Sequence, residues 1–129
     1  YVMNVIRMAR AITPVFRRQG GGVIVNISTF AAVEPRLMFP VSGTTRAAMH
    51  NYTKLYADRY ARDGIRMNNV LPGFVENWPM DEKVRQSIPT GRAVSMEELT
   101  ATVAFLLSPE SGSVTGQNIL VDGGVNRGL

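Results

Sequence analysis

Val23-Ile24-Val25-Asn26-Ile27 is a short, largely β-branched run with no alternation of polar and apolar faces. That is the pattern of a strand covered by helices on each side, and it predicts a central strand of a parallel sheet. Upstream, Val2, Ile6, Ala9, Thr13 and Phe16 recur at i, i+4, i+7, i+11 and i+14, one face of a helix running to about Arg18 with Pro14 inside it. Gln19 to Gly22 stop that helix. Downstream, a loop containing Pro35 and Pro40 leads to a second helix from about Ser42 to Arg62, with Ala48, Tyr52, Leu55 and Tyr56 as its apolar stripe and Asp63-Gly64 as its end.

Further on, Ile65 to Leu71 reads as a second strand, halted by Pro72-Gly73. Val75 to Thr90 is irregular apart from a short helix around Asp81 to Gln86. Ser95-Met96-Glu97-Glu98 has the form of a capping box, in which the Ser hydroxyl and the Glu carboxylate each accept from an otherwise orphaned N–H. Leu99, Val103 and Leu106 continue the apolar face of a helix from Ser95 to about Leu107. Asn118 to Val121 is a last strand before Asp122-Gly123-Gly124. Strands separated by helices need crossover connections, so the expected class is α/β, a parallel sheet of three strands with three main helices on both faces. Three such strands leave an apolar edge, and a helix that opens the chain lacks a preceding strand to pack on. The expectation is therefore that residues 1–129 form the C-terminal part of a single domain whose N-terminal half is absent. These residues alone are expected to be poorly stable.

Composition narrows the function. The 129 residues are 45% hydrophobic and 19% charged, ordinary for one folded domain. No cysteine occurs and His50 is the single histidine, which excludes a thiolate nucleophile and leaves histidine-rich metal sites nothing to build on. Fourteen Lys and Arg against ten Asp and Glu give +4, but the cations are scattered, as on solvated helix faces rather than on a nucleic-acid stripe. The longest apolar runs are far shorter than the roughly 20 residues that span a bilayer. Neither nucleic acid nor membrane is an expected partner, and the absence of cysteine fits a cytoplasmic, reducing location.

Four segments together, Asn4 in the opening helix, Val25-Asn26-Ile27-Ser28-Thr29, Leu71-Pro72-Gly73-Phe74-Val75 and Thr115 to Gly124, resemble the C-terminal half of a short-chain dehydrogenase/reductase. The resemblance runs over nearly the whole chain. It implies a Rossmann-like, doubly wound sheet, NAD or NADP as cofactor, and hydride transfer between nicotinamide and a carbonyl or alcohol substrate. It also implies a homo-oligomer, dimer or tetramer, with Asp122-Gly123-Gly124 turning at a subunit contact. The glycine-rich dinucleotide fingerprint of the family is not in these residues.

In that family a Ser is followed after twelve residues by a Tyr and after three more by a Lys, with an Asn from the preceding helix. Thr29, Ser42 and Arg46 fall at this spacing, and Asn4 is assigned the fourth position. Thr29 keeps the orienting hydroxyl. Arg46 keeps a cation for the ribose hydroxyls but releases no proton near neutrality. Ser42 is the severe change, because an aliphatic hydroxyl is a far weaker acid than a phenol and its side chain is shorter by a ring. Some reductases of the superfamily carry the Tyr seven residues before the basic residue, but Phe39 stands there. Halohydrin dehalogenases also carry Arg for Lys, yet they keep the Tyr and lose the nicotinamide loop, the reverse of this chain. Tyr52 and Tyr56 read as packing residues with a hydrogen-bonded tip. Pro72, Gly73 and Val75 would pass along the nicotinamide, Asn77 takes the place of a Thr that reaches amide or phosphate, and Asn26 is included on the cofactor side, although it also reads as a buried tie between loops. Without the resemblance, Pro72-Gly73 would be a plain turn and Ser42 an N-cap. His50, one turn after Arg46, is expected on the helix surface rather than as a replacement base, although it lies close enough in sequence to be tested. A non-catalytic relative, keeping the fold as a binding or assembly module, is the competing expectation.

Overall fold

The computed structural model describes residues 1–128 of the chain. In order come α1 (Val2–Gln19), β1 (Gly22–Ile27), a 3-10 turn (Phe30–Ala32), α2 (Pro40–Tyr60), β2 (Ile65–Pro72), α3 (Glu82–Ser87), α4 (Met96–Leu107) and β3 (Asn118–Val121). The strands form one parallel sheet in the order β1-β2-β3. Gly22 pairs with Ile65 and Ile27 with Val70, and Asn69 to Pro72 pair with Asn118 to Val121. The expected α/β architecture is present.

Helices cover both faces. Ile65 and Met67 of β2 are fully buried against Ala9 of α1 and Tyr56 of α2, with Phe16, Ile24, Tyr52 and Tyr60 around them. The alternate residues face α4, where Arg66 donates to the carbonyls of Leu106 and Ser108 at 3.0 Å each. This opposition follows from the period-2 alternation of a strand. The tyrosines of α2 read correctly, since Tyr56 is buried, shares a 2.6 Å hydrogen bond with Thr13 and stacks on Tyr60 with centroids 4.5 Å apart.

Within the described residues β2 is the middle strand, and β1 pairs only with β2 and leaves Ile27 54% exposed, the apolar edge expected of three strands. Two expectations about α2 need correction. Its stripe is different, because Leu55 and Ala48 point outward while Met49, His50, Thr53, Tyr56 and Ala57 point inward. Polar Thr53 faces in because it is satisfied there, donating to Asn69 at 3.0 Å and accepting from Asn26 at 3.3 Å. His50 is buried as well, not on the surface.

The accessible surface is 7873 Å² for 14.2 kDa. A closed folded monomer of that mass exposes about 6,800 Å². The excess agrees with the open edge of β1. No helix among the described residues is long and apolar enough to cross a membrane.

Candidate functional site

The strands of a parallel sheet all end on one side, and the loops leaving those ends form a crevice. Here the ends of β1 and β2 open into a hollow of about 410 Å³. Thr29, Ser42, Arg46, Pro72, Gly73, Val75 and Asn77, all anticipated from the sequence, line it, together with Tyr1, Ser28, Phe30, Phe39, Phe74 and Trp78.

Local chemistry sets each of them. Thr29 leaves β1 in extended conformation and caps the 3-10 turn, its Oγ1 accepting from Ala31 N–H at 3.3 Å. α2 starts at Pro40, whose fixed φ and missing N–H suit a first helical position. Ser42 is thus inside the first turn and is not the N-cap. Gly43 lets that turn approach the 3-10 turn, since a Cβ there would lie 2.7 Å from the Ala31 carbonyl oxygen. Arg46, one turn on from Ser42, donates to the Ser42 hydroxyl. Its guanidinium also lies 4.0 Å from the centroid of the Tyr1 ring, a cation–π contact.

On the opposite flank, β2 ends at Pro72, and Gly73 is required by crowding: a Cβ would fall 2.7 Å from the Asp122 Cα. Phe74 to Glu76 are fastened to the segment before α4. Val94 N–H donates to the Phe74 carbonyl at 2.9 Å, Glu76 N–H donates to Val94 at 3.0 Å, and the Glu76 carboxylate accepts from Met96 N–H at 2.9 Å. Ser95 and Glu98 close the expected capping box just beyond. Arg92 and the Ser95 backbone N–H hold the Glu98 carboxyl down to about 2. Trp78 is 61% exposed at the mouth of the hollow.

Two assigned residues lie elsewhere. Asn4 is exposed on α1 and does not line the hollow; Tyr1, the residue that precedes α1, does. Asn26 is buried beneath the site, donating to Thr53 at 3.3 Å and to Asn69 at 3.0 Å, while Asn69 donates to Asn118 at 2.7 Å. It joins β1 to α2 and β2 and does not line the hollow, in keeping with its reading as a buried tie.

Ser28 was not singled out for the site from the sequence, and His50 was set on the helix surface in preference to a role as replacement base. The Ser28 hydroxyl and His50 Nε2 are 2.5 Å apart, both residues are buried, and burial lowers the imidazole pKa from its ordinary 6.5. The four-residue spacing of Ser42, Arg46 and His50 was the available signal. Phe30 stacks at 5.4 Å from Phe74 and at 6.2 Å from Phe39. These rings separate the hollow from an adjoining one of about 610 Å³ that Phe39, Phe74, Arg36 and Arg127 help to line.

Comparison with known proteins places this geometry. The family model described as enoyl-(acyl carrier protein) reductase matches residues 2–126. A tropinone reductase homolog of Arabidopsis thaliana is 33% identical over 127 residues, 94% of this chain and 47% of that protein. A 3-oxoacyl-(acyl-carrier-protein) reductase of Thermotoga maritima is 36% identical over 132 residues, 96% of this chain and 52% of that protein. The solved short-chain type dehydrogenase/reductase of Mycobacterium ulcerans superposes with a TM-score of 0.89 at 28% identity, covering 96% of this chain and 48% of that one. The chain spans about half the length of the relatives it matches. On its sequence and its fold alike, this chain belongs to the short-chain dehydrogenase/reductase superfamily.

Proposed function

We propose that the protein is an NAD- or NADP-dependent oxidoreductase that interconverts an alcohol and a carbonyl compound in the hollow at the ends of β1 and β2. The observation that carries this reading is the convergence of Thr29, Ser42, Arg46 and Asn77 around a floor of Pro72, Gly73, Phe74 and Val75. That donor set fits a nicotinamide riboside, with an apolar floor for the ring, amide and backbone groups for the carboxamide, and a fixed cation for the ribose hydroxyls. The bound nicotinamide supplies or accepts a hydride.

The chain's own residues bind and orient. Asn77 and the Val75 backbone hold the carboxamide. Arg46 holds the ribose hydroxyls and keeps Ser42 in place. The Thr29 hydroxyl directs the substrate oxygen toward the reacting carbon. Phe30, Phe39 and Phe74 exclude water from that side, and the larger adjoining hollow leads the substrate in. Cytoplasmic location and homo-oligomerisation through the Asp122-Gly123-Gly124 turn complete the proposal. Asp122 supports the turn by accepting from Gly124 and Asn126 N–H groups at 2.9 and 2.8 Å.

A second reading, a non-catalytic binding or assembly module, is favoured by one observation: the hydroxyl at Ser42, engaged by Arg46, stands where a phenol would donate the proton. Titration with reduced NAD and NADP, followed by nicotinamide fluorescence and then by turnover on alcohols and carbonyls, decides between them. Saturable binding with turnover is expected. Binding without turnover, with activity appearing only in Ser42→Tyr, establishes the second reading, and no binding of either cofactor contradicts both.

A further inference from the structure

Ser28 and His50 are a buried pair that the binding roles above leave unused. Ser28 is 6% exposed, is one of the residues lining the hollow, and its N–H donates to the Val70 carbonyl at 2.7 Å, fixing it to the end of β2. The hydroxyl meets His50 Nε2 at 2.5 Å. His50 is 9% exposed and follows Ser42 and Arg46 at four-residue intervals, so all three occupy one side of α2.

The surroundings of the imidazole are uncharged. On α2, Arg46 is turned to Ser42 and Tyr1, and Lys54 is paired with Asp58 at 2.8 Å. β1 carries no charged residue, and the one on β2, Arg66, faces α4. Beyond the 3-10 turn Glu34 and Arg36 pair with each other, and Arg17 of α1 pairs with Asp63. Burial alone therefore holds the ring neutral near pH 7. Neutral imidazole is the form able to take a proton.

We propose that Ser28 and His50 are the proton-exchanging pair of this hollow, serving where Ser42 has replaced the phenol. The proposal rests on the oxidoreductase reading above. Ser28 donates to Nε2 of the tautomer that carries its proton on Nδ1. When an alcohol is oxidised, the carbon-bound hydrogen leaves with its electron pair to the nicotinamide. The alcohol O–H bond breaks, its proton passes to Ser28 Oγ, and the Ser28 proton passes to His50 Nε2. The products are a carbonyl, reduced nicotinamide and an imidazolium, which returns its proton to solvent. Reduction runs the same transfers in reverse. Ser28 touches the substrate, while His50 is a positioning and proton-holding residue that acts through it.

His50 is the single histidine of these 129 residues, so nitrogen-15 labelling with assignment against His50→Gln gives its imidazole to follow by NMR. The expected result is a titration below 6.5 whose midpoint moves in Ser28→Ala, and an Nε2 resonance that shifts when oxidised cofactor and trifluoroethanol, an alcohol that resists oxidation, are added together. In turnover, His50→Gln and Ser28→Ala are expected to lower kcat/KM for oxidation by about 10²-fold or more and to remove the acid limb of its pH profile. Circular dichroism verifies that the variants fold; where His50→Gln does not, Ser28→Ala and the resonance decide. An Nε2 resonance indifferent to Ser28→Ala and to the ligands, in protein that binds cofactor by fluorescence, overturns the pair and leaves the oxidoreductase reading standing. Variants that keep the wild-type pH profile do the same. Absence of cofactor binding overturns both.

Discussion

Two stretches line the same hollow under different constraints: Pro72 to Asn77 on one side, and Thr29 with Ser42 and Arg46 on the other. The first is tied down by the backbone, with Gly73 pressed on Asp122 and Phe74 to Glu76 hydrogen-bonded to the segment before α4. Its residue types follow from sterics and strand geometry. The second hangs on side chains, with Arg46 bridging Ser42 and the Tyr1 ring. Side-chain chemistry there changes without disturbing the fold, because an exchange at Ser42 or Arg46 breaks no strand pairing. The backbone scaffold of the hollow and the side-chain chemistry it displays are thus separable.

The largest effect is expected on the rigid stretch. Gly73→Ala forces a methyl into the Asp122 backbone, which has nowhere to yield. Such overpacking costs about 1–3 kcal/mol, readable as a lowered denaturation midpoint, and cofactor affinity should fall with it. An unchanged midpoint would break the contrast. Next, Thr53→Val beneath both stretches removes the hydroxyl that serves Asn26 and Asn69, taking one hydrogen bond from each of these buried amides at a cost of about 1–3 kcal/mol in urea unfolding. Asn77→Ala against Ser42→Ala sharpens the comparison directly. Loss of one hydrogen bond worth about 1 kcal/mol weakens cofactor binding roughly fivefold for Asn77, whereas Ser42→Ala leaves the dissociation constant near its starting value.

Acid dependence gives the smallest effect. Burial depresses the His50 pKa, so the unfolded chain binds that proton first. Its contribution is complete above about 6.5 and is lost as pH falls from there through the folded value. Glu98, held at about 2 chiefly by Arg92, contributes above its ordinary 4.5 and loses that only as pH falls toward 2. Stability measured from pH 7 to 4.5 should therefore fall in a step that His50→Gln abolishes.

Legibility in the sequence followed the same division. β2, the capping box and the Pro72-Gly73 stop were readable because backbone rules and short-range periodicity govern them. Ser42 and Arg46 were found through the residue spacing that the family resemblance implies, and their four-residue separation sets them on one helix face. Three features were not readable. Leu55 and Ala48 suggested an inward stripe, but Thr53 and His50 face inward, since satisfied polar groups are invisible to a hydrophobicity count. Asn4 was chosen by residue type, whereas Tyr1, one turn away, stacks on Arg46. The Ser28–His50 contact joins residues from two elements, and nothing local announces it.

A crystal structure of the protein with reduced nicotinamide dinucleotide tests the central claim most directly. The account predicts the ring lying along Pro72 to Val75, with its carboxamide within hydrogen-bond distance of Asn77 and its ribose hydroxyls at Arg46. A ring bound elsewhere on the molecule, or a cofactor-free hollow at saturating concentration, would contradict it.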